Sequence, residues 1–112
     1  MLENKQIVVL GGGHAGIEAA FAISKQNLQC CLITMSEKAI GRLSCNPAIG
    51  GLAKTHLVKE IDALGGVMGR AADLNSLQYK TLNITKGRAV WSTRAQVDKK
   101  EYPKYIQNLI KK

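Results

Sequence analysis

Cysteine is scarce in this chain and is not spaced for its usual structural uses. There are three, Cys30, Cys31 and Cys45, an odd number with an adjacent pair and no Cys-x-x-Cys spacing. That pattern excludes a zinc ribbon and argues against a disulfide framework. No stretch ahead of the first apolar run reads as a secretory leader, so reduced thiols and a cytoplasmic location are expected. His56 has no partner at His-Glu-x-x-His spacing, which removes the usual metalloprotease helix; no metal site is expected. No apolar run is long enough to cross a bilayer, so no membrane role is expected. Internal repeats and low-complexity linkers are also absent. Acidic residues are few, 8 against 16 Lys and Arg, for a formal net charge of +8. Such an excess favours anionic partners, nucleic acid or phosphorylated cofactors among them. Part of it is local, because Lys99, Lys100, Lys104, Lys111 and Lys112 cluster near the C-terminus and fit a solvated helix face equally well.

Glycine, by contrast, is concentrated where it carries information. The apolar run at residues 7–10 empties into Gly11-Gly12-Gly13-His14-Ala15-Gly16 and then into a helical pattern. Strand, glycine turn and helix start in that order, with Gly11, Gly13 and Gly16 at dinucleotide-fingerprint spacing, predict a pyrophosphate-binding turn. Gly11 permits the tight turn, Gly13 lets the backbone approach a phosphate, and Gly16 lets the helix lie against its strand. The N–H groups of the helix start, with Gly12, His14 and Ala15 around them, complete the candidate cofactor cradle.

Residues 6–10 read as a strand buried on both faces, because the branched residues are continuous rather than alternating. Ile17, Ala19, Ala20 and Ile23 recur at helical spacing up to an exit at Asn27, and residues 30–33 read as a second, parallel strand. The fingerprint acid that accepts from the adenosine ribose is missing from the end of this strand. Thr34 occupies the position without a charge, and Glu37, three residues on, is either its substitute or a solvated loop residue. Residues 39–51 have the composition of a shaped loop. From about residue 52 to 64, Leu52, Leu57, Val58, Ile61 and Leu64 return to helical periodicity until Gly65-Gly66 ends it. Residues 67–73 suit a short helix or an edge segment, and 77–84 are ambiguous. Gly87-Arg88 marks a turn, Ala89-Val90-Trp91 suggests a short strand, and an amphipathic helix with Pro103 in its first turn closes the chain. The fold class expected is α/β: a Rossmann-like FAD/NAD(P)-binding domain with a parallel sheet. At 112 residues that sheet is incomplete.

Several side chains admit two readings each. Cys45, on the glycine-rich loop, is either a nucleophile or proton carrier with a stabilised thiolate, or a small buried thiol. His56 is either a ligand contact or a hydrogen-bonded structural histidine. Lys54, Lys59, Arg88 and Arg94 are candidates for nucleic-acid phosphate contact, and Trp91 for stacking. Only convergence on one face separates them from solvated and packing residues.

Three segments carry a resemblance: residues 11–20; Ser44-Cys45-Asn46-Pro47-Ala48-Ile49-Gly50-Gly51 with the helix that follows through Gly66; and Lys86-Gly87-Arg88-Ala89-Val90-Trp91 with Ser92 to Gln96. They resemble the N-terminal part of the tRNA uridine 5-carboxymethylaminomethyl modification enzymes, the glucose-inhibited division protein A family. The first segment is common to many flavoproteins, whereas the second and third together are specific. The resemblance implies an FAD enzyme that works with a tRNA-modification GTPase. That enzyme places an aminomethyl or carboxymethylaminomethyl group on carbon 5 of the tRNA wobble uridine, with NADH as reductant and a methylenetetrahydrofolate as one-carbon donor, and forms a homodimer. It implies that Gly11, Gly13 and Gly16 hold the FAD pyrophosphate, that Asn46, Gly50 and Gly51 lie close to the flavin, and that Cys45 is catalytic. Arg88 departs from the pattern, standing where the family usually has proline. The family's proteins are much longer, so residues 1–112 are expected to form only the first portion of the FAD-binding domain and to be inactive alone. A folate-dependent tRNA uridine methyltransferase and a noncatalytic nucleotide- or RNA-binding module are the alternatives.

Overall fold

The computed structural model describes residues 7–44, 47–50 and 54–111. The chain begins with strand β1 (Ile7–Leu10), helix α1 (His14–Lys25) and strand β2 (Cys30–Ile33). β1 and β2 pair in parallel with Ile7 opposite Cys30 and Leu10 opposite Ile33. This is a right-sized βαβ unit: branched residues make the strands and an alanine-rich stretch makes the crossover. Asn27, at φ 56°, turns the chain out of α1 in the left-handed region that asparagine tolerates. A 3-10 turn over Glu37–Ala39 follows.

The second half is antiparallel. Strand β3 (Ala48–Gly50), helices α2 (Lys54–Ala63) and α3 (Met68–Leu74), strand β4 (Ser76–Leu82), a 3-10 turn at Arg88–Val90, strand β5 (Ser92–Val97) and helix α4 (Glu101–Ile110) come in that order. The sheet order is β3-β5-β4, with β5 in the centre.

One core joins the halves. Ile17 of α1, Ile49 of β3, Ala71 and Ala72 of α3, Val97 of β5 and Tyr102 and Ile106 of α4 are all buried in a single cluster. Tyr102, Ile17, Ile106 and Val97 are the largest side chains wholly removed from solvent. Each contributes about 1.5–3 kcal/mol of burial. Helix α4 is seated against the glycine loop by Gly41, whose φ of 70° and missing Cβ let Ile106 approach. The Gln107 amide donates to the Ile40 carbonyl at 3.0 Å. Its N-terminus is closed by Asp98, which accepts from the Lys100 and Glu101 N–H groups at 2.8 and 2.9 Å. Those two bonds, Glu101 first, hold the Asp98 carboxyl below its usual range.

Four expectations change. β1 is not covered on both faces: Leu10 is 77% exposed and Ile7 39%, because β2 is its sole partner among the described residues. Residues 39–51 are not wholly irregular, since Ala48 to Gly50 find a partner in β5. Ala89 to Trp91 do not form a strand. The chain makes a 3-10 turn there, closed by the Trp91 N–H on the Arg88 carbonyl at 3.1 Å, and the strand starts at Ser92. His56 is exposed, while its neighbour Thr55 is buried and donates to the Thr93 carbonyl at 2.6 Å.

Candidate cofactor site

The glycine turn lies where parallel α/β sheets bind ligands, beyond the carboxyl ends of the strands. β1 hands over to it through the Gly11 N–H, which donates to the Ile33 carbonyl at 2.8 Å and keeps the turn level with the end of β2. Gly11 has φ 108°, a conformation L side chains avoid. At Gly16 a Cβ would collide with the Gly11 carbonyl oxygen, so the first turn of α1 can lie against the strand end only with glycine there. At Gly12 a Cβ would sit 3.0 Å from the Thr34 hydroxyl. Gly13 differs. A Cβ there meets nothing within 4 Å, so packing against the protein does not require glycine at this position.

Gly13 is also the N-cap of α1, and among the described residues no side chain caps the helix. The first-turn N–H groups, His14, Ala15 and Gly16 among them, therefore have no intrahelical acceptor, and the helix dipole adds positive potential at the same point. At the glycine turn itself lies a cleft of about 460 Å³ lined by Gly11, Gly12, Gly13, Thr34, Met35 and Ala39, with Leu10 and Ile33. Thr34 is thus at the cleft, its hydroxyl donating to the Ser36 carbonyl at 3.3 Å. Glu37 does not line it; its carboxylate lies 3.8 Å from the Lys111 ammonium. These features fit a dinucleotide pyrophosphate: open backbone donors, no competing side chain and room for the ligand.

A second cleft, of about 330 Å³, lies beside the first turn of α1. His14, Arg42, Ser44, Gly50 and Lys54 line it together with the apolar Leu57 and Met68. The His14 ring stands edge-on to Tyr102, with centroids 5.8 Å apart. Its Nδ1 and the Tyr102 hydroxyl are buried with no hydrogen-bond partner among the described residues. Burial, and next the Lys54 ammonium, push the His14 pKa below its ordinary value, so the ring is neutral near pH 7. Burial also raises the Tyr102 phenol well above its usual range. Gly50, with φ 97°, is held by close approach to the Thr93 carbonyl, and a Cβ would collide there. Cys45, Asn46 and Gly51 lie outside the described residues, although Ser44 and Gly50 on either side of that loop both line this cleft.

The four basic candidates do not converge. Lys54 is at the second cleft, Lys59 lines another between helices α2 and α3 and the antiparallel sheet, and Arg94 lies on the outer face of that sheet. Arg88 stacks over the Trp91 ring at 5.6 Å, and the indole N–H donates to the Lys86 carbonyl at 3.0 Å.

Glu18 escaped the sequence reading. From α1 its carboxylate accepts the Val67 N–H at 3.0 Å and the Met68 N–H at 2.6 Å, closing the start of α3. The signal was an absence: Gly65-Gly66-Val67 offers α3 no Ser, Thr, Asp or Asn cap, so the acceptor has to come from elsewhere.

A family model described as glucose inhibited division protein A matches residues 6–112. The chain belongs to that family. Among curated relatives, the tRNA uridine 5-carboxymethylaminomethyl modification enzyme MnmG of Ureaplasma parvum serovar 3 is 52% identical over 110 residues, 98% of this chain and 18% of that protein. The protein of the same name from Wolinella succinogenes is 58% identical over 103 residues, 92% of this chain and 16% of the relative. The solved structure of Aquifex aeolicus GidA in its form I crystal superposes with a TM-score of 0.90 at 50% identity, over 97% of this chain and 18% of that one. Its form II crystal gives 0.89. The chain therefore spans less than a fifth of the length of these relatives of the glucose inhibited division protein A family, and it shares their Rossmann-like α/β fold over nearly all of its own length.

Proposed function

We propose that this chain is the N-terminal, FAD-binding segment of an enzyme that modifies carbon 5 of the tRNA wobble uridine. In this reading a partner GTPase takes part, NADH is the reductant and a methylenetetrahydrofolate is the one-carbon donor; the working protein is a homodimer in the cytoplasm. The observation that carries the reading is the uncapped start of α1 behind Gly13, where backbone donors face open space that no packing demand explains. Membership of a family whose relatives are named for tRNA uridine modification supplies the reaction class.

The chain's own residues do the holding. The N–H groups of Gly12 to Gly16 take the pyrophosphate, and Thr34, a neutral hydroxyl at the end of β2, serves the ribose without the usual acid. His14, kept neutral by burial and by Lys54, hydrogen-bonds at the second cleft without adding charge. Bound flavin supplies the redox chemistry, and Cys45 is the candidate nucleophile or proton carrier.

Protein expressed from its complete reading frame tests this. It should purify with flavin absorbance and modify unmodified tRNA when given NADH, the folate donor and the GTPase. Gly13→Ala should leave the fold intact and weaken flavin retention by tenfold or more, because the methyl group would occupy the approach of the phosphate. Cys45→Ser should retain flavin and lose turnover; undiminished turnover removes Cys45 from the chemistry. Methylation of a T-loop uridine instead would assign the protein to the folate-dependent methyltransferases.

A further inference from the structure

The outer face of the antiparallel sheet carries a charge arrangement that the fold does not need. β4 and β5 pair with Lys80 directly opposite Arg94 and Gln78 opposite Gln96. Ala95 and Val97, the alternate residues of β5, are buried in the core, so Arg94 and Gln96 share the opposite face with Lys80 and Gln78. Together with Pro47 these four line a cleft of about 310 Å³, and among the described residues no acidic side chain lines it. Like charges directly opposite on a sheet destabilise it. The ion pairs among the described residues, Lys104 with Glu101 and Lys111 with Glu37, lie elsewhere and do not relieve this pair. Pro47, whose carbonyl accepts the Val97 N–H at 2.8 Å, directly follows Cys45 and Asn46 in the chain.

We propose that this face binds the sugar–phosphate backbone of the RNA substrate, with Lys80 and Arg94 donating to phosphate oxygens and Gln78 and Gln96 to the ribose. The proposal rests on the reading of the chain as part of a tRNA-modifying enzyme. A phosphodiester between the two cations removes their repulsion, and the guanidinium adds a two-pronged donor. Carboxamides both donate and accept, which matches a ribose 2′-hydroxyl; a polycarboxylate, such as a folate polyglutamate tail, has no hydroxyl to donate back.

The test uses the flavin-loaded protein from the complete reading frame and a fluorescent, unmodified tRNA anticodon arm, with anisotropy followed through a salt titration. Lys80→Gln with Arg94→Gln should weaken binding roughly tenfold at low salt. It should also make the slope of log K against log salt shallower by about 1.5, the effect of two lost phosphate contacts. Its urea midpoint should equal or exceed the wild-type value, since a like-charge pair has gone. Lys104→Gln with Lys111→Gln removes the same charge from α4 and should leave the slope unchanged. An unchanged slope in the sheet variant, with RNA binding and flavin retention intact in the wild type, overturns the proposal and leaves the functional reading standing. Failure of the flavin-loaded wild type to bind the arm defeats the tRNA reading and the proposal together. Weakened binding of a pteroylpolyglutamate with unchanged RNA binding assigns the face to carboxylates and overturns the proposal.

Discussion

The parallel and antiparallel halves of the chain both turn on glycine, but they use it differently. In the β1–α1–β2 half two glycines mark opposite extremes. Gly16 is required by backbone packing, while Gly13 faces open space at the bare end of a helix. In the β3–β5–β4 half, Gly50 is required by its contact with the Thr93 carbonyl, and the outward polar groups are side chains on the sheet face. The first half leaves backbone donors open at its surface, and the second turns polar side chains outward. A glycine that would clash with the protein's own backbone supports the fold; one that meets nothing is the better candidate for a ligand contact.

Gly16→Val should produce the largest effect, because the added atoms meet a backbone carbonyl that cannot move without opening the end of β1. Overpacking against backbone costs about 3 kcal/mol or more. Loss of the cooperative urea transition, or a midpoint far below that of Gly13→Ala, is the expected result. Equal midpoints for the two variants would erase the distinction between the two kinds of glycine.

Glu18→Ala should come next. Glu18 is the clasp between the halves, reaching from α1 to the N–H groups that begin α3. Loss of a helix cap costs about 1–2 kcal/mol. Hydrogen exchange should therefore accelerate at Val67 and Met68 while β1 and β2 keep their protection. Uniform acceleration across both halves would mean that they unfold as one unit and that the clasp has no local role.

How legible each half was in the sequence follows from the range of its contacts. The β1–α1–β2 unit, the exit at Asn27 and the end of α2 at Gly65 rest on spacing within a few residues, and the sequence reading places them correctly. β3 was not visible, because Ala48, Ile49 and Gly50 have loop composition and become a strand only when β5, more than forty residues later, offers its edge. Trp91 misled in the opposite sense: Ala89-Val90-Trp91 is apolar enough for a strand, but Gly87 and Arg88 bend the chain first. The exposure of Leu10 could not be foreseen, since a continuous apolar run specifies what a strand can pair with and not how many partners are present. At the site, glycine spacing located the turn. Glu18 and the Lys80–Arg94 pair needed the fold, because neither contact lies within one element.

The smallest effect should appear on titration, and it bears on how His14 serves both halves. Its ring leaves the glycine turn to enter the second cleft, where burial and then Lys54 lower its pKa from 6.5, and Glu18 partly opposes them. As pH falls below 6.5 the unfolded chain takes up a proton that the folded chain refuses. The stability present above that value therefore declines until the folded histidine is itself protonated, and then levels off. The wild-type urea midpoint should fall through this window, while His14→Gln should be nearly flat within it. Lys54→Gln should reduce the decline without abolishing it, because burial is the larger cause and survives the substitution. Glu18→Ala should deepen the decline, since it removes an opposing charge. If Lys54→Gln abolishes the decline altogether, charge and not burial controls His14, and the second cleft is wetter than its apolar walls imply.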